Sequence, residues 1–389
     1  MSQWKVAHGD CLEILRAIPD NSFHSMVTDP PGGIEFMGKR NKWDSSRGGR
    51  DQWVAWLEER LRECYRVLLP GAHALVWGIP RTSYWTATAL DNAGFDIRDI
   101  IHHIYGQGGP KVKKLGDGWS TALKPAAEHW ILARKPVEGT ITQNFGKYGT
   151  GGLNTDACRV QRGTDDVPGW HKSGADGSAG YQGESTFRIR AMSAEEIQER
   201  CGDTGRWPPN LVLSEGADEV LDAETGPKKS GKMKASTRRK NREGYAGPMP
   251  EFTGKETYGD SGGVSRYFPC FGYFAKPSRS EKEAGLDDFP TVTLNRVNPG
   301  GLERDPRFAP VQVKNNHNTV KGIKLMQWLC TLVTPEGGYI LDPFTGSGST
   351  GCAAVPLGFG FFGCELSEEY VQIARARIRY WEIKTKCAR

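Results

Sequence analysis

Asp342-Pro343-Phe344-Thr345-Gly346-Ser347-Gly348-Ser349-Thr350 lies between the short apolar run Tyr339 to Leu341 and a helical stretch that starts at Ser349. It therefore reads as the turn from a strand into a helix. In a doubly wound sheet that turn is where an adenosine-containing cofactor binds, and Gly346 and Gly348 would let the backbone approach a ligand closely. A Gly-x-Gly alone equally describes a tight turn. Two further features favour the cofactor. Glu365 ends the next strand, Phe359 to Cys364, about 20 residues on, where a carboxylate can hydrogen-bond ribose hydroxyls. The loop also lacks the third glycine of Gly-x-Gly-x-x-Gly, which favours a cofactor without phosphates over a dinucleotide.

The second feature is Asp29-Pro30-Pro31-Gly32-Gly33, which closes the short strand Ser25 to Thr28. Two consecutive prolines forbid both helix and continued ladder pairing, so the strand ends in a rigid loop. Asp29 then offers a carboxylate, and Pro30 a stiff carbonyl, at the same sheet edge as the glycine turn. The exocyclic amino group of a nucleobase is a poor nucleophile because its lone pair is delocalised into the ring. Two acceptors aimed at its N–H groups would favour a pyramidal nitrogen. Positioning and electrostatics would then do the catalysis, with no metal required.

The remaining chain supplies the sheet. Trp4 to Ala7 reads as a strand, Gly9-Asp10 as a turn, and Leu12, Leu15 and Ile18 as one face of a helix. Gln52 to Leu69 predicts a helix on the spacing of Trp53, Trp56, Leu57, Leu61, Tyr65 and Leu68. Strand Ala72 to Trp77, helix Pro80 to Asn92, and strands Phe95 to Ile101 and Glu128 to Ala133 follow. The pattern returns with a helix from Ile323 to about Val333 and ends with a helix over Ser367 to Lys384. Such alternation predicts a mostly parallel sheet covered on both faces.

Thr28-Asp29-Pro30-Pro31 resembles the catalytic Asp-Pro-Pro-Tyr motif of the DNA amino-methyltransferases, and Asp342 to Gly348 resembles their Phe-x-Gly-x-Gly cofactor motif. The catalytic motif precedes the cofactor motif, which is the circularly permuted order of the family's beta group, here of a phage or prophage type. The resemblance implies an α/β fold: a doubly wound, mostly parallel, seven-stranded methyltransferase sheet with a loop-rich inserted target-recognition region. Residues 1–137 and 273–389 would form the two halves of the catalytic domain and 138–272 the insertion.

By the same resemblance, S-adenosylmethionine is the methyl donor and double-stranded DNA the substrate. Asp29, Pro30, Pro31 and Gly32 stand at the catalytic positions. The implied cofactor residues are Asp10, Asp29, Asp342, Pro343, Phe344, Gly346, Ser347, Gly348 and Glu365, with His317, Thr319 and Lys321 from Asn316-His317-Asn318-Thr319-Val320-Lys321. That last segment is similar to the family's His-Pro-Thr-x-Lys-Pro. The implied activity is N6-adenine methylation after base flipping, with cytosine-N4 methylation the nearest alternative. Asp29 leans toward adenine, because the cytosine enzymes more often carry serine there. A catalytically weak DNA-binding relative, and an enzyme acting on RNA or protein, are the readings from other classes. A second copy of the chain and a cognate restriction endonuclease are partners that the resemblance allows.

Two departures from the family pattern stand out. Gly32 occupies the place of the aromatic that stacks on the flipped base, and Asn318 and Gly322 replace two prolines. Phe36 or Trp43 could supply the missing ring. In the insertion, apolar periodicity nearly vanishes except around Trp207 to Leu213, so no further sheet is expected there. Its run Lys228 to Arg242 holds eight Lys or Arg residues. Lys234, Arg238 and Arg239 within it are candidates to neutralise phosphates, which contributes salt-dependent affinity without base specificity. Arg206, Trp207 and Tyr245 are candidates for wedging or stacking.

Composition sets the outer limits. Lys plus Arg number 51 against 46 Asp plus Glu, a net charge of +5, so any nucleic-acid surface must be local. The nine cysteines form no Cys-x-x-Cys pair, which favours a reducing, cytoplasmic setting and argues against a zinc ribbon. No run of 18 apolar residues occurs, so no membrane partner is expected.

Overall fold

The computed structural model describes residues 4–35, 44–105, 114–160, 206–214, 216–229, 238–239, 243–244, 247–248, 252–253, 261–271, 277–294 and 310–388. Its main unit comprises residues 1–158, 210–217 and 270–389. The strands of its central sheet are β1 (Trp4–His8), β2 (Phe23–Thr28), β3 (Leu68–Gly78), β4 (Asp96–Ile104), β5 (Ala127–Arg134), β6 (Leu211–Ser214), β7 (Cys270–Phe271), β8 (Tyr339–Asp342) and β9 (Gly360–Glu365). They lie in the order β1-β9-β8-β2-β3-β5-β4-β6-β7. Every neighbouring pair is parallel except the two made by β5, which runs against β3 and β4.

The doubly wound, mostly parallel architecture expected from the sequence is thus present, with nine strands among the described residues against the expected seven. The additional pair, β6 and β7, comes from the stretch expected to hold no sheet. The main unit also takes in residues 138–158 and 210–217 from that stretch, including a helix α4 (Ile141–Tyr148). Thr140 and Gln143 close a capping box at the start of α4, and Gly149 ends it with φ 70°.

Strand periodicity explains the layers. Along β3, Leu75 and Trp77 point to one face, where they pack with α5 (Ile323–Val333), α6 (Ser349–Ala354) and α7 (Glu368–Ala388). Ala74 and Val76 point to the other, against α2 (Arg50–Val67), α3 (Ser83–Asn92) and Leu15 of α1 (Cys11–Arg16). A strand buried on both faces is mostly apolar, and Ala72, Ala74, Leu75 and Val76 are fully buried, with the buried His73 the polar exception among them.

The second unit comprises residues 159–209 and 218–269. Within it Val160 and Arg206 form an isolated bridge, and Asp222 accepts hydrogen bonds from the Ser265 N–H (2.8 Å) and hydroxyl (2.6 Å). Short antiparallel ribbons pair Lys228–Lys229 with Ser261–Gly262 and Arg238–Arg239 with Phe252–Thr253. Among the described residues no helix is long and apolar enough to cross a membrane.

Candidate active site

The parallel strands deliver their C-terminal ends to one edge of the sheet, where open α/β sheets bind ligands. Gly9-Asp10 follows β1, Asp29 follows β2, Asp342 ends β8 and Glu365 ends β9. Since β9, β8 and β2 are neighbours, the glycine turn lies between the Glu365 and Asp29 ends.

Thr28 and Asp342 tie the two loops together. The Thr28 hydroxyl donates to Asp342 Oδ1 at 2.6 Å, and the Phe344 N–H donates to the same oxygen at 3.2 Å. Burial pushes the Asp342 carboxyl up to about 6, against these hydrogen bonds. At the next strand end, Glu365 takes the Gly346 N–H and the Ser367 N–H, each at 2.8 Å, on its two oxygens. This holds the glycine turn in shape and leaves lone pairs on both oxygens for further donors. Asp10 caps α1 through the Leu12 N–H (2.9 Å) and accepts from Arg60 at 2.9 Å.

Gly346 must be glycine. Its φ is +53°, and a Cβ there would stand 2.7 Å from His317 Nε2. His317 therefore lies directly on the glycine turn, its ring edge-on to Tyr370 at 4.7 Å. Burial, with Lys321, Arg377 and Lys282 nearby, pushes its pKa down to about 3, so the ring is neutral at physiological pH. The Thr319 N–H donates to His317 Nδ1 at 3.4 Å. On the other side of the turn, Arg377 of α7 is fully buried and donates to the Ser347 carbonyl (2.5 Å) and hydroxyl (3.1 Å). Phe344 packs against Trp56, with ring centroids 5.8 Å apart.

The Asp29 loop is clipped from two sides. Thr82 donates its hydroxyl to the Gly32 carbonyl at 2.8 Å, and the Gly33 N–H donates to the buried Asp44 at 2.7 Å. Asp29 itself holds Lys321, with Nζ to Oδ2 at 2.5 Å and the carboxylate side chain 18% exposed. Burial pushes Asp29 up to about 6 although the Lys321 ammonium pulls the other way. The same Nζ stands 4.2 Å from the centroid of the Trp77 ring, whose indole N–H donates to Glu128 at 3.0 Å. Burial alone would raise Glu128, but Lys321, His103 and the Trp77 N–H together outweigh it and bring it down to about 2.

The structure therefore gathers Asp10, Asp29–Gly32, His317, Thr319, Lys321, Asp342–Gly348 and Glu365 at one sheet edge. It places Lys321 on Asp29, at the loop after β2. Sequence reasoning assigned no role to Asp44, Trp77, Thr82, Glu128 or Arg377. Arg377 had a signal: it falls between Ala374 and Ile378 on the buried face of α7. Phe36, Trp43, Lys234 and Tyr245 lie outside the described residues, and Arg238 and Arg239 are described by their backbone alone. Trp207 is 61% exposed with the Arg159 guanidinium 5.2 Å over its ring, and Arg206 donates to the Arg266 carbonyl at 2.7 Å. Among the described residues no His, Cys, Asp and Glu side chains gather into a metal-binding group.

The acceptor set fits a nucleoside: beside the glycine turn Glu365 keeps a lone pair on each oxygen for the two hydroxyls of a ribose, after taking the Gly346 and Ser367 N–H groups. Fold and site thus define an α/β protein with a nucleoside-cofactor edge beside a polar acceptor site. A family model described as DNA methylase matches residues 23–376, so the chain belongs to the DNA methylase family.

Over 62 residues the chain is 47% identical to the type II methyltransferase M2.DpnII of Streptococcus pneumoniae, a match to 16% of this chain and 23% of that protein. It is 23% identical over 404 residues to the type II methyltransferase M.SfiI of Streptomyces fimbriatus, covering 93% of this chain and 88% of that one. The chain spans less than a quarter of the length of M2.DpnII and of the type II methyltransferase M.BamHI of Bacillus amyloliquefaciens. Among solved structures, the PvuII DNA methyltransferase (cytosine-N4-specific) is similar at a TM-score of 0.47 and 12% identity, over 100% of this chain and 94% of that one.

Proposed function

We propose that the chain transfers a methyl group from S-adenosylmethionine to the exocyclic N6 of adenine in duplex DNA. The observation that carries this reading is the Asp29 carboxylate beside the glycine turn, already holding a nitrogen donor, the Lys321 ammonium, at hydrogen-bond distance. An amino group in that place would donate one N–H to Asp29 and the other to the Pro30 carbonyl, freeing its lone pair. S-adenosylmethionine supplies an electrophilic methyl group on a sulfonium and leaves as a neutral thioether once the N–C bond forms. With Lys321 beside it the Asp29 carboxyl stands near 6 and is ionised above pH 7 before the base arrives, ready to accept the amino N–H and then the proton that the methylated nitrogen sheds. His317, neutral and seated on the glycine turn, and the carboxylates of Glu365 and Asp10 bind the cofactor's methionine and adenosine ends.

Residues 138–272 serve in this reading as the target-recognition region, and the basic run Lys228 to Arg242 engages the phosphate backbone. The choice of adenine rests on Asp29 in a position where cytosine-N4 enzymes more often have serine. The test is transfer of labelled methyl from S-adenosylmethionine to unmethylated bacterial DNA, followed by mass spectrometry of the nucleosides. N6-methyladenine is expected. N4-methylcytosine would change the base, and absence of label from a chain that binds the cofactor would defeat the reading.

A further inference from the structure

We infer that the indole face of Trp77 is the seat on which the extruded base stacks, and that Lys321 is the placeholder that covers this seat until the base arrives. The inference rests on the methyltransferase reading and names a positioning surface for its substrate.

The first observation is the space beside Gly32. A Cβ built there would meet Trp77 Cζ3 at 3.6 Å, Asp44 Oδ1 at 3.7 Å and Ile34 Cγ1 at 3.8 Å, so a side chain at position 32 would start in contact with the Trp77 ring. The nearest of these atoms belongs to an aromatic ring near the end of the neighbouring strand. Base–aromatic stacking tolerates any base, because every base has a π-face.

The second observation is what lies on the ring. One ammonium contacts both the Trp77 face and the Asp29 carboxylate, at 4.2 Å and 2.5 Å. A base stacked on Trp77 with its amino group on Asp29 would need those same two contacts. Lys321 and a base amino group thus compete for one place, and Trp77 is 9% exposed with Lys321 over its ring. The third observation is the anchoring. The indole N–H donates to Glu128 at 3.0 Å, which fixes the ring plane, and β3 pairs Trp77 with Trp130 of β5.

Lys321 also has somewhere to go. It lines a cavity of about 80 Å³ with Glu128, His103, Ser214 and Phe271 on its walls, and Glu128 is a carboxylate able to receive the withdrawn ammonium. Base entry then exchanges one ion pair for another rather than stranding a charge.

The experiment compares Trp77→Phe, Trp77→Leu and the double variant Gly32→Tyr with Trp77→Leu. Each is assayed for methyl transfer to unmethylated genomic DNA and, separately, for S-adenosylmethionine binding by calorimetry. Trp77→Leu should lower kcat/KM for DNA by roughly ten- to a hundredfold, the loss of one base–aromatic stack. Trp77→Phe should stay within about threefold of wild type because it keeps an aromatic face. Tyrosine at position 32 should restore roughly tenfold in the double variant by supplying a ring from the other side. Cofactor affinity should be unchanged in all three. Full transfer by Trp77→Leu, equal losses for Phe and Leu, or lost cofactor binding in Leu would each overturn the inference and leave Trp77 a packing residue. A wild-type chain that binds the cofactor yet labels no DNA would instead remove the methyltransferase reading, and this inference with it.

Discussion

Replacing Lys321 with methionine keeps an unbranched side chain against Trp77 and removes the ammonium from Asp29. A hydrogen bond to a charged group in such a place contributes about 1.5–3 kcal/mol, which at 1.36 kcal/mol per unit is roughly one to two units of pKa. Burial is what raises Asp29 to about 6, and Lys321 is the largest influence opposing it. Without Lys321 the carboxyl should therefore rise to roughly 7–8. In the proposed reaction transfer requires ionised Asp29, so the acidic limb of the pH profile should move to higher pH by that amount. The assay is kcat/KM for DNA between pH 5 and 9 at saturating S-adenosylmethionine, because kcat/KM reports the free enzyme, in which Lys321 sits on Asp29. The limb in kcat should move less, since the bound base replaces Lys321. A kcat/KM limb that stays near pH 6 in Lys321→Met would refute the assignment of Asp29 as the titrating acceptor.

Further outcomes follow from the loops. Asp342 is raised from 3.8 to about 6, so the folded state holds the extra proton, and its contribution to stability declines as pH rises from about 4 to about 6 and is flat above. Asp342→Asn, which keeps an acceptor for Thr28 and the Phe344 N–H, should gain stability relative to wild type across that window. Urea unfolding at pH 4 and pH 8 checks this, and a difference that shrinks toward pH 8 would contradict it. Gly346→Ala should cost about 1–2 kcal/mol for its left-handed backbone. It should also weaken cofactor binding, because the new Cβ would push His317 away. Calorimetry with S-adenosylmethionine should show that loss, and unchanged affinity would free His317 of its role. Arg377→Met leaves the Ser347 carbonyl without its donor and should cost about 1–3 kcal/mol, read as a lower urea midpoint.

Much of this site was legible because strand ends are where linear sequence and function coincide. Asp29, Asp342 and Glu365 each close a strand, and parallel pairing of β2, β8 and β9 brings the three ends to one edge whatever the details of packing. The β3 core was equally plain, since a strand covered on both faces must read as Ala72 to Trp77 does. The parts that escaped depend on tertiary pairing. Strands β6 and β7 are four and two residues long, too short for a period to show, and become sheet because β4 offers an edge to β6 and β6 offers one to β7. Glu128 reaches Trp77 across a strand pair 51 positions apart in the chain, and Asp44 reaches Gly33 through a loop. Helix α4 did carry a local signal, Thr140 three residues before Gln143 with Gly149 behind, within a glycine-rich stretch that hid it. The aromatic sought near Gly32 in the following loop has a candidate instead on the neighbouring strand, at Trp77.

The most direct test of the account is single-turnover methyl transfer by Asp29→Ala, with S-adenosylmethionine binding measured on the same preparation. The account predicts cofactor binding close to wild type and loss of transfer by at least about a hundredfold, since the acceptor that orients the amino nitrogen is gone. Transfer at the wild-type rate would contradict it, and would place the chemistry away from the Asp29 loop.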